Sequence, residues 1–331
     1  MRFPGQIYLA VFFSAALTSF LTLPLWRRAC QRIGLVDEPG GRKLHGAPVP
    51  LAGGLAVLTG LIVPLAAGAA VLLAGWPNLP ARDLLVYGLG KRAVQLVVIA
   101  LGALAITALG IFDDRHELRP LPKFLGQLLV ALAVAAAGVR VTLFVPNPLF
   151  SYAITVLWLL TVINAFNFTD NMNGLCTGLG AIAAGCFAAL AALAGHYLVA
   201  SMAFLICGAL LGFLPWNFPR ARAFLGDAGS HLVGYLLGVL AILPHFYSPE
   251  KPTRWGALAV LTPLLVLAVP LGDLVRVVLW RWRRGQPVYV GDTNHVSHLL
   301  VQAGWSPTRA VLCLWLLAAM LGGLTLLQRL P

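Results

Sequence analysis

A chain of 331 residues that is 60% hydrophobic and only 10% charged is not an ordinary soluble domain, where about a quarter of residues carry charge. Its net charge of +12 would point to nucleic acid in a soluble protein; here it points to membrane topology and to anionic lipid or a phosphorylated substrate, with no nucleic-acid partner. Apolar runs near 20 residues recur along the whole length, and the short alternating segments of a β-barrel are missing. The chain therefore reads as all-α and polytopic, a single transmembrane domain over 1–331.

About ten transmembrane helices are predicted, at roughly 6–26, 51–75, 92–112, 122–140, 149–166, 176–195, 197–215, 229–248, 256–280 and 308–328. The first has only Arg2 before it and no small-x-small cleavage site after it, so it reads as a retained helix. Cys30, Cys176, Cys186, Cys207 and Cys313 form no CxxC, and read as small core residues rather than disulfides or metal ligands.

Loops that follow odd-numbered spans collect most of the basic residues, among them Arg27, Arg28, Arg115, Arg119, Arg281 and Arg283. By the positive-inside rule that face is cytoplasmic and both termini lie outside. Of the 11 acidic residues, Asp37, Glu38, Asp113, Asp114, Glu117, Asp170, Asp227 and Asp292 fall on the same face. Topology rules say little about acids, so a polar site built from several loops is the better reason for their gathering.

Five stretches carry that site. In the first loop, "DEPGGRKLHGAPVPLAGG", prolines and glycines forbid a continuous helix, and Arg42, Lys43 and His45 suit phosphate as well as they suit a positive-inside loop. At the end of the third span, Asp113 and Asp114 are adjacent carboxylates able to hold Mg²⁺ beside phosphates, or to divide into a ligand and a base; a solvated helix turn is the bland alternative. Lys123 follows, with Gln127 one turn later on the same face. The stretch "NAFNFTDNMNGL" holds Asn164, Asn167, Asp170, Asn171 and Asn173 beside a strongly apolar span. Amides donate and accept at once, which suits a nucleobase or sugar; polar glue between helices usually needs only one or two of them. Glycines bracket Asp227 in "FLGDAGS", where it could approach a metal–phosphate unit or cap a helix. Finally, Asp292, His295 and His298 follow three arginines; the histidine pair lacks further zinc donors and suits a diphosphate better.

Taken jointly, these stretches resemble the polyprenyl-phosphate N-acetylhexosamine-1-phosphate transferases, from about Asp37 to His298 and in the family's order. The first-loop pattern is met by Asp37, Pro39, Arg42, Lys43, His45, Pro48, Pro50, Gly53 and Gly54. The aspartate pair is met by Asp113 and Asp114 with Lys123, N-x-x-N-x-x-D by Asn164, Asn167 and Asp170, G-D-x-G-S by Asp227, and the histidine loop by Asp292, His295 and His298. Asn173 stands where many members have an acid, and Ser297 stands at the middle histidine of the D-x-x-H-x-H-H loop of the sugar-1-phosphate branch; the three-histidine run of the pentapeptide translocase is absent, which places the chain in the sugar-1-phosphate branch.

The resemblance implies a Mg²⁺-dependent enzyme, with Mn²⁺ as the alternative cation, at the cytoplasmic face of a bacterial inner membrane. It would pass a HexNAc-1-phosphate, GlcNAc-1-phosphate first among them, from a UDP-sugar to undecaprenyl phosphate, releasing UMP and starting an envelope glycan. It implies metal ligation by Asp227, Asp114 and Asp170, and catalytic work by Asp113, Asp114, Lys123, His295 and His298. Substrate contacts would come from Arg42, Lys43, His45, Asn164, Asn167, Asp170, Asn173 and Asp292. A homodimer is the open assembly state. A transporter or flippase for a lipid-linked sugar is the competing class, but it would need polar residues near the bilayer midplane and repeated broken helices. A non-catalytic scaffold would not need so many ionisable groups.

Overall fold

The computed structural model describes residues 4–39, 46–75, 82–143, 145–244, 253–287 and 294–329. Its helices are α1 (Gly5–Ile33), α2 (Gly53–Leu73), α3 (Arg82–Lys91), α4 (Ala93–His116), α5 (Pro120–Ala136), α6 (Pro148–Thr169) and α7 (Leu175–Leu193). They continue as α8 (Tyr197–Asn217), α9 (Gly226–Ile242), α10 (Thr262–Val266), α11 (Ala268–Arg283), α12 (Val296–Gln302) and α13 (Pro307–Leu324). Each of the ten apolar segments contains helix. Among the described residues seven helices are long and apolar enough to cross a membrane, or eight if the pair Gly256–Val266 and Ala268–Arg283, bent by 71°, is one span. α5 and α9 are apolar but shorter, at 17 residues each. The short helices α3 and α12 lie outside the ten segments.

Local chemistry sets the ends. α1 stops at Gly34, whose φ of 71° suits glycine, and the N–H of Leu35 returns to the carbonyl of Cys30 at 2.9 Å. α5, α6 and α13 each begin with proline in the first turn, where a missing N–H costs nothing. The side chains of Asn147 and Ser306 cap α6 and α13 by accepting the N–H groups of Phe150 and Arg309. One small departure from an all-α fold is an antiparallel strand pair, β1 (Val36–Asp37) with β2 (Val49–Pro50), in the first loop. It continues into the approach to α9: Phe224 N–H donates to Pro50 O, and Gly53 and Gly54 N–H donate to Phe224 O and Leu225 O.

α9 is the axis of the bundle, buried almost continuously from Ala228 to Ala241. Its neighbours reach it backbone to backbone. A Cβ on Gly54 of α2 would lie 2.5 Å from Gly229 N, one on Gly110 of α4 2.4 Å from Ala228 Cα, and one on Gly234 of α9 2.6 Å from Ile163 Cα of α6. In lipid, where apolar surface gains nothing from leaving water, such close approach through small residues is what holds helices together. Large apolar side chains point outward instead: Phe13, Leu17, Leu21 and Leu25 of α1, Val94, Val97 and Leu101 of α4, Leu316 and Met320 of α13. Some polar atoms inside the bundle are satisfied across helices, with Tyr235 Oη donating to Ile99 O and Trp158 Nε1 to Gly238 O. All five cysteines are free. Together these features make a polytopic helical membrane protein.

Candidate active site

The site forms where α4, α5, α6 and α9 end or begin together. Asp113 and Asp114 occupy the last turn of α4, before Glu117 turns the chain at φ 46°. Asp113 is buried; its Oδ1 accepts Leu118 N–H at 2.8 Å and its Oδ2 lies 2.6 Å from Lys123 Nζ in the first turns of α5. The same ammonium reaches Asp227 Oδ2 at 3.2 Å and Asn167 Oδ1 at 3.5 Å. Asn167 of α6 donates through Nδ2 to Asp227 Oδ1 and to Ser230 Oγ. One cation and one amide thus hold two carboxylates from different helices side by side.

The first N–H groups of α9 take two further acids. Asp114 accepts from Asp227 N–H at 2.7 Å with Oδ1 and from Ala228 N–H at 3.1 Å with Oδ2. Gly226 N–H donates to Asp170, which caps the C-terminus of α6. A helix N-terminus presents unpaired N–H groups and a partial positive charge, and here two carboxylates of the chain itself satisfy both. Glycine is required at 226: φ is 73°, and a Cβ would fall 2.8 Å from Asp114 Oδ2. Lost solvation first, and the charges of Asp227 and Asp114 next, hold the Asp170 carboxyl well above the usual carboxylate range, against the pull of the Gly226 N–H. The acids are closer than their mutual repulsion favours, an arrangement that added positive charge relieves.

A second group abuts the same end of α6. Asp273 of α11 accepts Val296 N–H at 2.7 Å and pairs with His295 Nδ1 at 2.6 Å, which fixes the start of α12. The His295 ring meets Phe168 edge-on, with centroids 5.8 Å apart, and His298 lies 6.2 Å from His295. The Arg281 guanidinium stacks 5.2 Å from Phe168. Ser297 Oγ donates to Asn171 Oδ1 at 2.7 Å, tying α12 to the α6–α7 turn.

The structure thus brings Asp113, Asp114, Lys123, Asn167, Asp170 and Asp227 into one cluster, with His295 and His298 in the adjoining group. Asn164 lies one turn deeper, donating to Gln127 Oε1 and Leu160 O. Asn173 instead donates to Pro219 O, in the α8–α9 connection. α6 ends at Thr169, so Asn171 leaves the helical face of Asn164 and Asn167 and bonds Phe168 O and Ser297. Arg42, Lys43, His45 and Asp292 lie outside the described residues. Two contributors escaped the sequence reading. Asp273 lies in α11, within a predicted span and outside the five stretches. His231, four residues after Asp227, shares its helix face, and that Asp-x-x-x-His spacing was the available signal.

The family model described as glycosyl transferase family 4 matches residues 96–245, which include Asp113, Asp114, Lys123, Asn167, Asp170 and Asp227. The chain is 31% identical over 314 residues to a probable undecaprenyl-phosphate N-acetylglucosaminyl 1-phosphate transferase of Bacillus subtilis (strain 168), covering 92% of this chain and 80% of that one. It is 34% identical over 329 residues to a decaprenyl-phosphate N-acetylglucosaminephosphotransferase of Mycobacterium tuberculosis (strain ATCC 25618 / H37Rv), covering 92% and 78%. To the undecaprenyl-phosphate alpha-N-acetylglucosaminyl 1-phosphate transferase of Yersinia pestis it is 28% identical over 308 residues, covering 89% and 77%. The chain belongs to glycosyl transferase family 4, among the polyprenyl-phosphate N-acetylhexosamine-1-phosphate transferases.

Proposed function

We propose that this protein transfers N-acetylglucosamine-1-phosphate from a UDP-sugar to a polyprenyl phosphate, giving a polyprenyl-diphospho-sugar and UMP. The observation that carries the reading is the convergence of Asp113, Asp114, Asp170 and Asp227 around Lys123 and Asn167 at the ends of apolar helices. A lipid phosphate at the membrane surface and a nucleotide from solution would meet at such a place. We read all ten helical segments as spans, the site as cytoplasmic, both termini as external and the membrane as the bacterial inner membrane, because basic loops and acids share that face.

In this mechanism an oxygen of the lipid phosphate attacks the β-phosphorus of the UDP-sugar. The bond from that phosphorus to the oxygen it shares with the α-phosphate breaks, and UMP leaves with that oxygen. Asp113 orients the lipid phosphate, Lys123 offsets charge on the reacting phosphates, and His295 and His298, beside the exit of α6, bind the diphosphate. Asn167 holds Asp227 in place. The donor set fits a divalent cation: carboxylate oxygens of Asp113 and Asp227 converge, and Lys123 Nζ already bridges them as a positive charge. Asp227, with Asp114 and Asp170 beside it, would hold Mg²⁺ or Mn²⁺. Such an ion supplies positive charge that lowers the repulsion between two polyanionic reactants.

The test is purified protein with undecaprenyl phosphate, Mg²⁺ and a panel of UDP-HexNAc donors. Lipid-dependent release of UMP from UDP-GlcNAc is expected. Transport of a lipid-linked sugar across sealed vesicles without UMP release would overturn the reading.

A further inference from the structure

One nitrogen in the acid cluster is not used by phosphoryl transfer as described above. His231 follows Asp227 by one helical turn on α9 and is fully buried. Its Nδ1 has no hydrogen-bond partner. Its Nε2 lies 3.5 Å from Gln127 Nε2, at the outer limit of a hydrogen bond. Gln127 is itself held by Asn164, whose Nδ2 donates to Gln127 Oε1 at 2.8 Å. A ring nitrogen of His231 and carboxylate oxygens of Asp113 and Asp227 all lie within 4.8 Å of one another. A histidine kept in a core for structure alone normally has both nitrogens satisfied. This one is fully enclosed, weakly engaged, and set against two carboxylates.

We propose that His231 is a direct nitrogen ligand, beside Asp227, of the divalent cation in this site, and that it makes the site prefer Mn²⁺ to Mg²⁺. The inference rests on the cation-dependent reading above and deepens it. Mg²⁺ favours all-oxygen surroundings and keeps its waters, whereas Mn²⁺, although it too takes oxygen ligands, is a first-row transition metal that accepts an imidazole nitrogen more readily than Mg²⁺ does. A nitrogen in place of a water or carboxylate oxygen therefore raises affinity for Mn²⁺ more than for Mg²⁺. Gln127 lies against the ring through its Nε2, and its Oε1 is held in turn by Asn164. The cation takes over the charge balance that the Lys123 ammonium otherwise provides between the two carboxylates.

The experiment is pulsed electron paramagnetic resonance on the full-length protein in lipid nanodiscs, loaded with Mn²⁺, once at natural abundance and once with ¹⁵N-histidine. The expected result is a histidine-nitrogen coupling that changes with the label and disappears in His231→Met. The expected Mn²⁺-over-Mg²⁺ affinity ratio falls about tenfold or more in that variant. The isotope comparison needs only the wild-type protein, so a missing histidine coupling overturns the proposal even if the variant fails to fold, and a histidine coupling kept in His295→Gln supports it. Bound Mn²⁺ without histidine coupling, or a coupling that persists in His231→Met and vanishes in His295→Gln, overturns the proposal and leaves the transfer reaction standing. Nitrogen-coupled Mn²⁺ in a protein that releases no UMP overturns the transfer reading and leaves the ligand assignment intact.

Discussion

Asp114 accepts the backbone N–H of Asp227 at 2.7 Å, so the carboxylate that ends α4 caps the helix that carries the next acid of the cluster. With Ala228 N–H on its other oxygen, Asp114 acts as an N-cap supplied from a distant segment. Replacing such a cap costs about 0.5–2 kcal/mol. Asp114→Ala is therefore expected to melt lower than the wild type and to lose transfer, since the first turn of α9 positions Asp227. A thermal melt in detergent with a parallel UMP-release assay checks both. Wild-type melting together with wild-type turnover would contradict the capping role.

Lys123 is the cation that touches Asp113 and Asp227 together among the described residues. Lys123→Met leaves their repulsion unopposed. Transfer is expected to fall about 100-fold or more, as when a charge-stabilising group is removed from a reacting phosphate or oxyanion. The cation-free variant should also melt lower, and added Mg²⁺ should raise its melting temperature more than it raises that of the wild type. Equal Mg²⁺-induced shifts would count against the bridging charge.

The glycines around α9 give a steric prediction. Gly54→Ala would place a methyl group 2.5 Å from Gly229 N, and Gly110→Ala one 2.4 Å from Ala228 Cα; in both cases the obstacle is backbone, which cannot rotate aside. Overpacking of this kind costs about 1–3 kcal/mol. Gly68→Ala, also in α2 but facing open space, should leave stability nearly unchanged. Differential scanning fluorimetry of the three variants makes the comparison, and an equal effect at all three positions would defeat the packing argument.

Asp170 gives a pH prediction. Its folded pKa lies well above the ordinary 3.8, so the folded state holds the proton more tightly than the unfolded chain does. Stability from this residue is therefore present below pH 3.8 and is lost as pH climbs through the folded value. Asp170→Asn removes that loss while an amide oxygen can still accept from Gly226. In chelator at neutral pH the variant should melt no lower than the wild type, with a flatter decline of melting temperature as pH rises and a smaller gain from added Mg²⁺. A cation-free variant that melts several degrees lower would reverse the sign argued here.

Much of the site was legible from residue types alone. Acids on the loops of one face needed a common reason, and Asp113, Asp114, Asp170 and Asp227 do share one cluster. Hydropathy located ten helical segments because each must hide its own backbone polar groups. What it could not show was partnership. Nothing in the spelling of Asp114 says that its oxygens serve another helix, since that contact spans 113 positions. The predicted span stops near 166 whereas α6 runs to Thr169, because helix ends depend on local caps that periodicity does not report. His231 went unnoticed because a histidine within an apolar run looks like filling until its neighbours from α4 are in place.

The glycine contacts of α9 carry a mechanical corollary. A rod pressed backbone to backbone by three others has no clearance to tilt, slide or turn. It behaves as an anvil, and the acids mounted at its tip keep their spacing whatever docks against them. Any swing that admits a bulky isoprenoid must come from pieces seated elsewhere, such as the kinked α10–α11 arm and the short α12, which pack against α6 and α13.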